Sequence, residues 1–306
     1  MTDPAQTASP LPDHPIPFAG SRVDFSDMDR SNAALARYRA SELASCILLH
    51  RGQVAADGPK LLRAAPEAVA RLRLDEPGLI FLGVEGDGDP VFAASLADAD
   101  MLPDGALTDL RMGGHKLAPD GLALAGRARS MLDWHRTHRF CAACGGASVS
   151  ADGGAKRVCG SCATEHFPRV NPVVIFLIEN EGSVLLGRGP GWPPGFYSAL
   201  AGFVSPGETI EEAATREGME EAGVSLSAHR YKFCQPWPFP SQLMIGLISR
   251  ADGREVTIDP KELEDTRWFT RDEVAAVFAK TGDAFQRPPR TTIAHQLLRA
   301  WLSESA

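Results

Sequence analysis

The sequence predicts an α+β protein in which a small metal-held module separates two larger domains. Three observations carry that expectation. Short apolar runs closed by turn residues alternate with helix-period stretches on both sides of the chain's middle. Two Cys-x-x-Cys pairs, Cys141/Cys144 and Cys159/Cys162, fall in a Gly-rich stretch poor in large apolar residues. A helix starting after Thr209 carries glutamates where core-facing residues belong. At 306 residues the chain exceeds what one ordinary core organises, so several domains are expected.

The first stretch, residues 1–17, is polar and Pro-rich and reads as a flexible tail. It lacks the basic start and apolar middle of a secretory signal, and no apolar run in the chain is long enough to span a bilayer. A cytoplasmic location without membrane contact is the expectation. The net charge of −8 argues against a broad non-specific nucleic-acid surface, which needs clustered Lys and Arg. Any nucleic acid would be read locally.

Residues 18–138 read as an α+β domain. The runs 46–49 and 79–84 are strand-like, and a Gly/Asp-rich turn follows the second. Residues 61–74 are helical in pattern, with Pro66 arguing for a break, and 121–138 form a longer Ala/Leu-rich helix. No motif here carries chemistry. A scaffold or dimerisation role is expected.

Residues 139–168 have the composition of a module held by metal rather than by a core. The two cysteine pairs are separated by 14 residues and together supply the four thiolates that tetrahedral zinc prefers. A redox dithiol would need only one pair. With all four ligands from protein, no position stays open for catalysis, so this zinc is structural. The nearby His135, His138 and His166 are expected on the polar surface.

Residues 169–306 read as a second α+β domain. Strands are expected at 173–178, 183–186, 197–204 and 243–249, with the first two joined as a hairpin through 179–182. Helices are expected at 210–222, 271–280 and 292–302. The first is the informative one. Thr209 and Glu212 form a capping box, and Gly223 is placed to end the helix. Ile210, Ala213 and Ala214 mark its apolar stripe, which Glu217 and Glu221 continue, with Glu220 at its edge. Burying unpaired carboxylates is costly, so a cation must compensate them, and a hard divalent ion such as magnesium or manganese fits oxygen ligands. A salt-bridged surface helix with a Glu212–Arg216–Glu220 ladder is the competing reading, which explains Arg216 but not Glu217 and Glu221.

Gly202, Glu208, Arg216, Glu217, Glu220, Glu221, Gly223 and Val224 together resemble the Nudix box. Gly218 departs from it, standing where an aliphatic residue is expected, and predicts a lost packing contact. Gln235-Pro236-Trp237-Pro238-Phe239-Pro240 is similar to the SQPWPFPxS signature of the NADH pyrophosphatase branch, with Cys234 and Gln242 in place of its two serines. That branch also carries a four-cysteine zinc ribbon ahead of the Nudix domain. The resemblance implies a Nudix α/β/α sandwich preceded by the ribbon and an N-terminal α+β domain.

It further implies hydrolysis of NAD(H) to NMN(H) and AMP, with removal of the NAD cap from RNA as a second activity. Glu217, Glu220, Glu221 and Glu262 would be the catalytic carboxylates and, with the Ala201 carbonyl, the magnesium or manganese ligands. Phe203, Phe167, Gln235, Pro236, Trp237, Pro238, Phe239, Pro240, Ser241, Gln242 and Ala294 would contact substrate. Trp237 and Phe239 make a stiff aromatic wall suited to stacking bases. Relatives are homodimers whose aromatic segment helps build the partner's site. Two alternatives stay open: a Nudix enzyme for another nucleotide diphosphate such as ADP-ribose, and a non-catalytic zinc-ribbon nucleic-acid-binding protein. The residues do not say which carboxylate is the base.

Overall fold

The computed structural model describes residues 16–25, 28–86 and 88–304, so the tail expected at 1–17 lies almost wholly outside the described residues. The chain divides into two compact units. One holds residues 17–170 together with 236–242, and the other holds 171–235 and 243–304 with Ile16.

The first unit begins with α1 (Asn32–Ala40), β1 (Ser45–His50), β2 (Gln53–Asp57), β3 (Lys60–Leu61), β4 (Arg63–Ala64) and α2 (Pro66–Val69). It continues with β5 (Ile80–Glu85), β6 (Asp89–Ser95), β7 (Leu107–Thr108), α3 (Leu110–Gly113) and α4 (Pro119–Thr137). Its sheet runs β3-β2-β1-β6-β5, with β4 paired to β1 and β7 to β2. The four interior residues of β1 are all buried, which is why this strand reads as a continuous apolar run rather than an alternating one. The expected helix over 61–74 is not formed. That stretch pairs as β3 and β4, and Pro66 sits at the first turn of the four-residue α2, where its missing N–H costs nothing. Proline starts this helix rather than breaking one. Helix α1 went unexpected because it buries only Ala34 and has no apolar stripe to read.

The cysteine module, β8 (Ser148–Ala151), β9 (Lys156–Cys159) and β10 (Glu165–His166), is a three-stranded sheet in the same unit. Arg157 is fully buried and fixes it. Its guanidinium donates to the Ser148 hydroxyl and carbonyl at 2.9 and 2.6 Å, to His135 Nδ1 on α4 at 3.2 Å, and to Glu76 at 2.6 Å. His135 is therefore not polar surface. It is buried against this guanidinium, its Nε2 donates to the Gly154 carbonyl at 2.9 Å, and burial pushes its pKa below the ordinary histidine value.

The second unit holds β11 (Asn171–Asn180), β12 (Ser183–Arg188), β13 (Leu200–Phe203), α5 (Ile210–Ala222), β14 (Leu226–Trp237), β15 (Gln242–Ala251), β16 (Asp265–Thr270), α6 (Arg271–Ala279) and α7 (Ile293–Ser303). The last two residues of β14 and the first of β15 fall in the first unit. The sheet order is β14-β15-β11-β12-β16, with β13 on β11. Alternation along β11 sends Val174, Phe176 and Ile178 to a layer shared with Ala213 and Ala214 of α5, and Ile175 and Leu177 to a layer shared with α6 and α7. The result is the α/β/α sandwich expected.

The two sheets share one strand order. In each, a central strand (β1 or β11) pairs antiparallel with its successor (β2 or β12) and with a short strand (β4 or β13), and the successor pairs with a later strand (β7 or β16). They differ after the short strand. There α5 has 13 residues, whereas α2 has four and a single carboxylate, Glu67, bonded to Arg39 at 3.1 Å.

Candidate active site and zinc ribbon

Local sequence builds the catalytic helix. Thr209 accepts from the Glu212 amide at 3.2 Å and Glu212 accepts from the Thr209 amide at 2.8 Å, which closes the capping box, and Gly223 ends the helix at φ 65°. Because Glu212 is spent on the cap, only the Arg216–Glu220 rung of the ladder forms. Arg216 instead gathers four partners: Glu208 at 2.6 Å, Glu217 at 2.7 Å, Glu220 at 2.9 Å and the Phe203 carbonyl at 2.9 Å. That guanidinium, with the Ser205 amide, holds the Glu208 carboxyl down at about 2. Glu208 thus closes the loop between β13 and α5. Its place in the box was visible in the sequence, but its pairing was not.

Glu217 and Glu221 are 9% and 7% exposed, and one carboxylate oxygen of each lies with one of the exposed Glu262 within 4.8 Å of one another. Three backbone features bring this about. Gly202 on β13 leaves the space that Glu217 fills: a Cβ there would sit 1.8 Å from the Glu217 carboxyl carbon. The turn carrying Glu262 docks on the end of α5, with the Asp259 amide donating to the Glu221 carbonyl at 3.0 Å. Leu263, buried in the α5 layer, anchors that turn.

Burial, followed by the charges of Glu217 and Glu262, pushes the Glu221 carboxyl up to about 8, while the Ala201 backbone amide draws it back. Only Glu217 of the three meets a guanidinium among the described residues. Carboxylates crowded this closely and short of positive charge fit a hard divalent cation. Glu220 stands outside the cluster, its side chain 57% exposed and held by Arg216. Ala201 lies beside Glu221 through its backbone.

Gly218 loses no packing contact. A Cβ on it would come within 2.6 Å of Leu226 Cδ1, so the β14 side chain already fills the volume that an aliphatic residue would take.

The four cysteines also fit their metal. Cys141 and Cys162 sulfurs are 3.7 Å apart and Cys144 and Cys159 sulfurs 3.5 Å apart, against an edge of about 3.8 Å for a tetrahedron of zinc–sulfur bonds. Both knuckles close alike. The Gly145 amide donates to the Cys141 carbonyl at 2.9 Å and the Ala163 amide to that of Cys159 at 3.0 Å, while the Ala143 and Ser161 amides each reach a sulfur at 3.4 Å. Thr164 holds the Cys162 thiol down at about 6, toward the thiolate a metal needs. His166 Nε2 lies 3.2 Å from Cys141 Sγ, next to the ligand set rather than in it.

The residues expected to meet substrate divide between the units. Phe203 is exposed at the end of β13; Gln235 is buried and donates to the Thr291 carbonyl at 2.9 Å, just ahead of Ala294, the buried second residue of α7. Phe167 and residues 236–242 belong to the first unit. Phe167 is exposed, Pro238 is buried, and Trp237, Phe239, Ser241 and Gln242 are half-buried.

Residues 168–290 match the NUDIX domain family, 136–167 the NADH pyrophosphatase zinc ribbon domain, and 43–134 the NADH pyrophosphatase-like rudimentary NUDIX domain. The last match agrees with the strand order common to the two sheets. NAD-capped RNA hydrolase NudC of Deinococcus radiodurans is 38% identical over 248 residues, which cover 79% of this chain and 84% of that one. NudC of Stutzerimonas stutzeri is 36% identical over 217 residues, covering 71% and 75%. Human NAD-capped RNA hydrolase NUDT12 is 46% identical over 187 residues, 58% of this chain, but the match spans only 40% of the human protein's length.

Proposed function

The chain belongs to the Nudix hydrolases, in the branch marked by the NADH pyrophosphatase zinc ribbon, and from that premise we propose that it hydrolyses the pyrophosphate bond of NAD(H) to NMN(H) and AMP and removes the NAD cap from RNA 5′ ends. The observation that carries the reading is the cluster of buried Glu217 and Glu221 with exposed Glu262, short of positive charge at the end of a formed Nudix box. Bound magnesium or manganese would supply Lewis-acid polarisation of the phosphate and a bound water of lowered pKa. The chain's own residues do the rest. Glu217, Glu221 and Glu262, with the Ala201 carbonyl, would hold the ions, and Glu220, paired with Arg216 outside the cluster, would join them only by leaving that pair. Burial pushes the Glu221 carboxyl up to about 8, so a bound cation would favour its ionised form. Arg216 keeps Glu217 and the Glu208 loop in place.

In this reading Phe203, Phe167, Gln235–Gln242 and Ala294 contact the dinucleotide, the enzyme works as a homodimer in the cytoplasm, and zinc serves the ribbon alone. Among the described residues no helix is long and apolar enough to cross a membrane. Cys234 and Gln242, where the branch signature has serines, favour testing ADP-ribose as a second substrate. The test is product analysis of NADH, NADPH, ADP-ribose and NAD-capped RNA with magnesium and with manganese, beside the Glu221→Gln variant. NMNH and AMP from NADH, lost in the variant, support the proposal. Turnover unchanged in that variant, or RNA bound without cation-dependent cleavage, overturns it.

A further inference from the structure

Residues 236–242 belong to the unit of residues 17–170, and one face of α4 is shaped to them. Trp237 and Phe239 pack on the cluster that includes Phe18, Leu122 and Ala125. Phe18 meets both edge-on, at 5.7 and 5.9 Å between centroids. The Arg129 guanidinium lies 4.6 Å from the centre of the Phe239 ring and that of Arg111 4.8 Å from it. Arg129 is itself pinned, donating to the Gly52 carbonyl at 2.6 Å. One residue on, the Ser130 hydroxyl donates to the Pro240 carbonyl at 3.1 Å. Gly126 lies on the same helix face, three residues before Arg129. A Cβ on it would come within 2.9 Å of Phe18 and 3.4 Å of Pro238.

Each ring makes two edge contacts, but among the described residues Phe239 has two guanidinium groups within 4.8 Å of its centre, whereas Trp237 has one, Arg111 at 5.9 Å. A half-buried guanidinium is a costly choice for filling space, since burial disfavours its charge. It is well suited to fixing a ring's orientation, because the attraction depends on the cation lying over the ring face.

We propose that α4 positions the substrate-contacting segment: Phe239 is its anchor, Arg129 is the positioning residue that fixes the anchor, and Trp237 is the ring left to stack on the nucleotide. This rests on reading residues 235–242 as nucleotide-contacting, and it gives the first unit a task beyond scaffold.

The test uses the full zinc-loaded chain with Arg129→Met, Arg129→Lys, Trp237→Ala and the Arg129→Met/Trp237→Ala double variant. The readouts are KM and kcat for NADH and, independently of turnover, the Kd of AMP from isothermal titration calorimetry. Weakened stacking on one ring loosens a nucleotide by roughly tenfold, so Arg129→Met should raise KM and Kd by about that factor with little change in kcat. Arg129→Lys should recover most of that loss, and the double variant should be no worse than Trp237→Ala alone. A purely structural role would instead give additive losses and a lower kcat. Gly126→Val, which presses on Phe18 and Pro238 from the same helix face, should reproduce the KM effect with zinc content unchanged. Unchanged KM and Kd in Arg129→Met, or additive effects in the double variant, overturn the proposal. If the parent chain fails to turn over NADH while AMP affinity still follows this pattern, the function falls and the positioning stands.

Discussion

Replacing Glu221 by Gln should abolish turnover and at the same time stabilise the metal-free protein at high pH. The carboxyl titrates at about 8 in the folded chain against an ordinary value of 4.5. At about 1.4 kcal/mol per unit, a shift of that size corresponds to about 5 kcal/mol. The sign follows from which state binds the proton. Between pH 4.5 and about 8 the folded chain keeps it and the unfolded chain has released it, so stability falls as pH rises through that window. Above it the parent carries the full cost of a buried charge and the neutral variant does not.

In magnesium-free buffer that leaves zinc in place, thermal unfolding at pH 9 should place the variant's transition higher by on the order of 10 °C. The gap should close by pH 4. Magnesium at a hundred times its Kd should return about 2.7 kcal/mol to the parent and little to the variant. A variant no more stable than its parent at pH 9 without magnesium would refute the argument that Glu221 is buried without sufficient positive charge.

Gly202→Ala should cost activity at least a hundredfold while the domain stays folded, because the added methyl occupies the place of the Glu217 carboxyl; cation titration and circular dichroism read the two effects separately. Gly218→Ala gains about 1 kcal/mol of helix propensity but meets Leu226, so it should destabilise the parent and stabilise only the Leu226→Ala background, itself weakened by a core cavity, as denaturation of the three variants would show. Removing zinc, by chelation or by Cys162→Ser, should loosen more than the ribbon: Arg157 ties the module to Glu76 and His135, so hydrogen exchange should quicken at the C-terminal end of α4 as well.

Much of this arrangement was written locally. The capping box, the glycine after α5 and the helix period together place Glu217 and Glu221 on a buried stripe, and the doubled cysteine spacing specifies four thiolates. These are short-range patterns, decided within a few turns of chain by backbone geometry and burial. The edge strand β14 was not legible, because most of its residues are not buried and its alternation is irregular; β16, flanked by charge, was missed for a related reason.

The catalytic helix after Gly202 could thus be read from its own residues, whereas its completion could not. That Glu262 joins the cluster depends on the Asp259 amide reaching the Glu221 carbonyl across 38 residues of sequence. Why position 202 must be glycine depends on where the Glu217 side chain falls, and why position 218 tolerates glycine depends on Leu226. The clasp of α4 on residues 236–242 joins segments over a hundred residues apart. Such contacts carry no periodic signal. Periodicity records which face of an element is buried, and only the folded chain decides what lies against it.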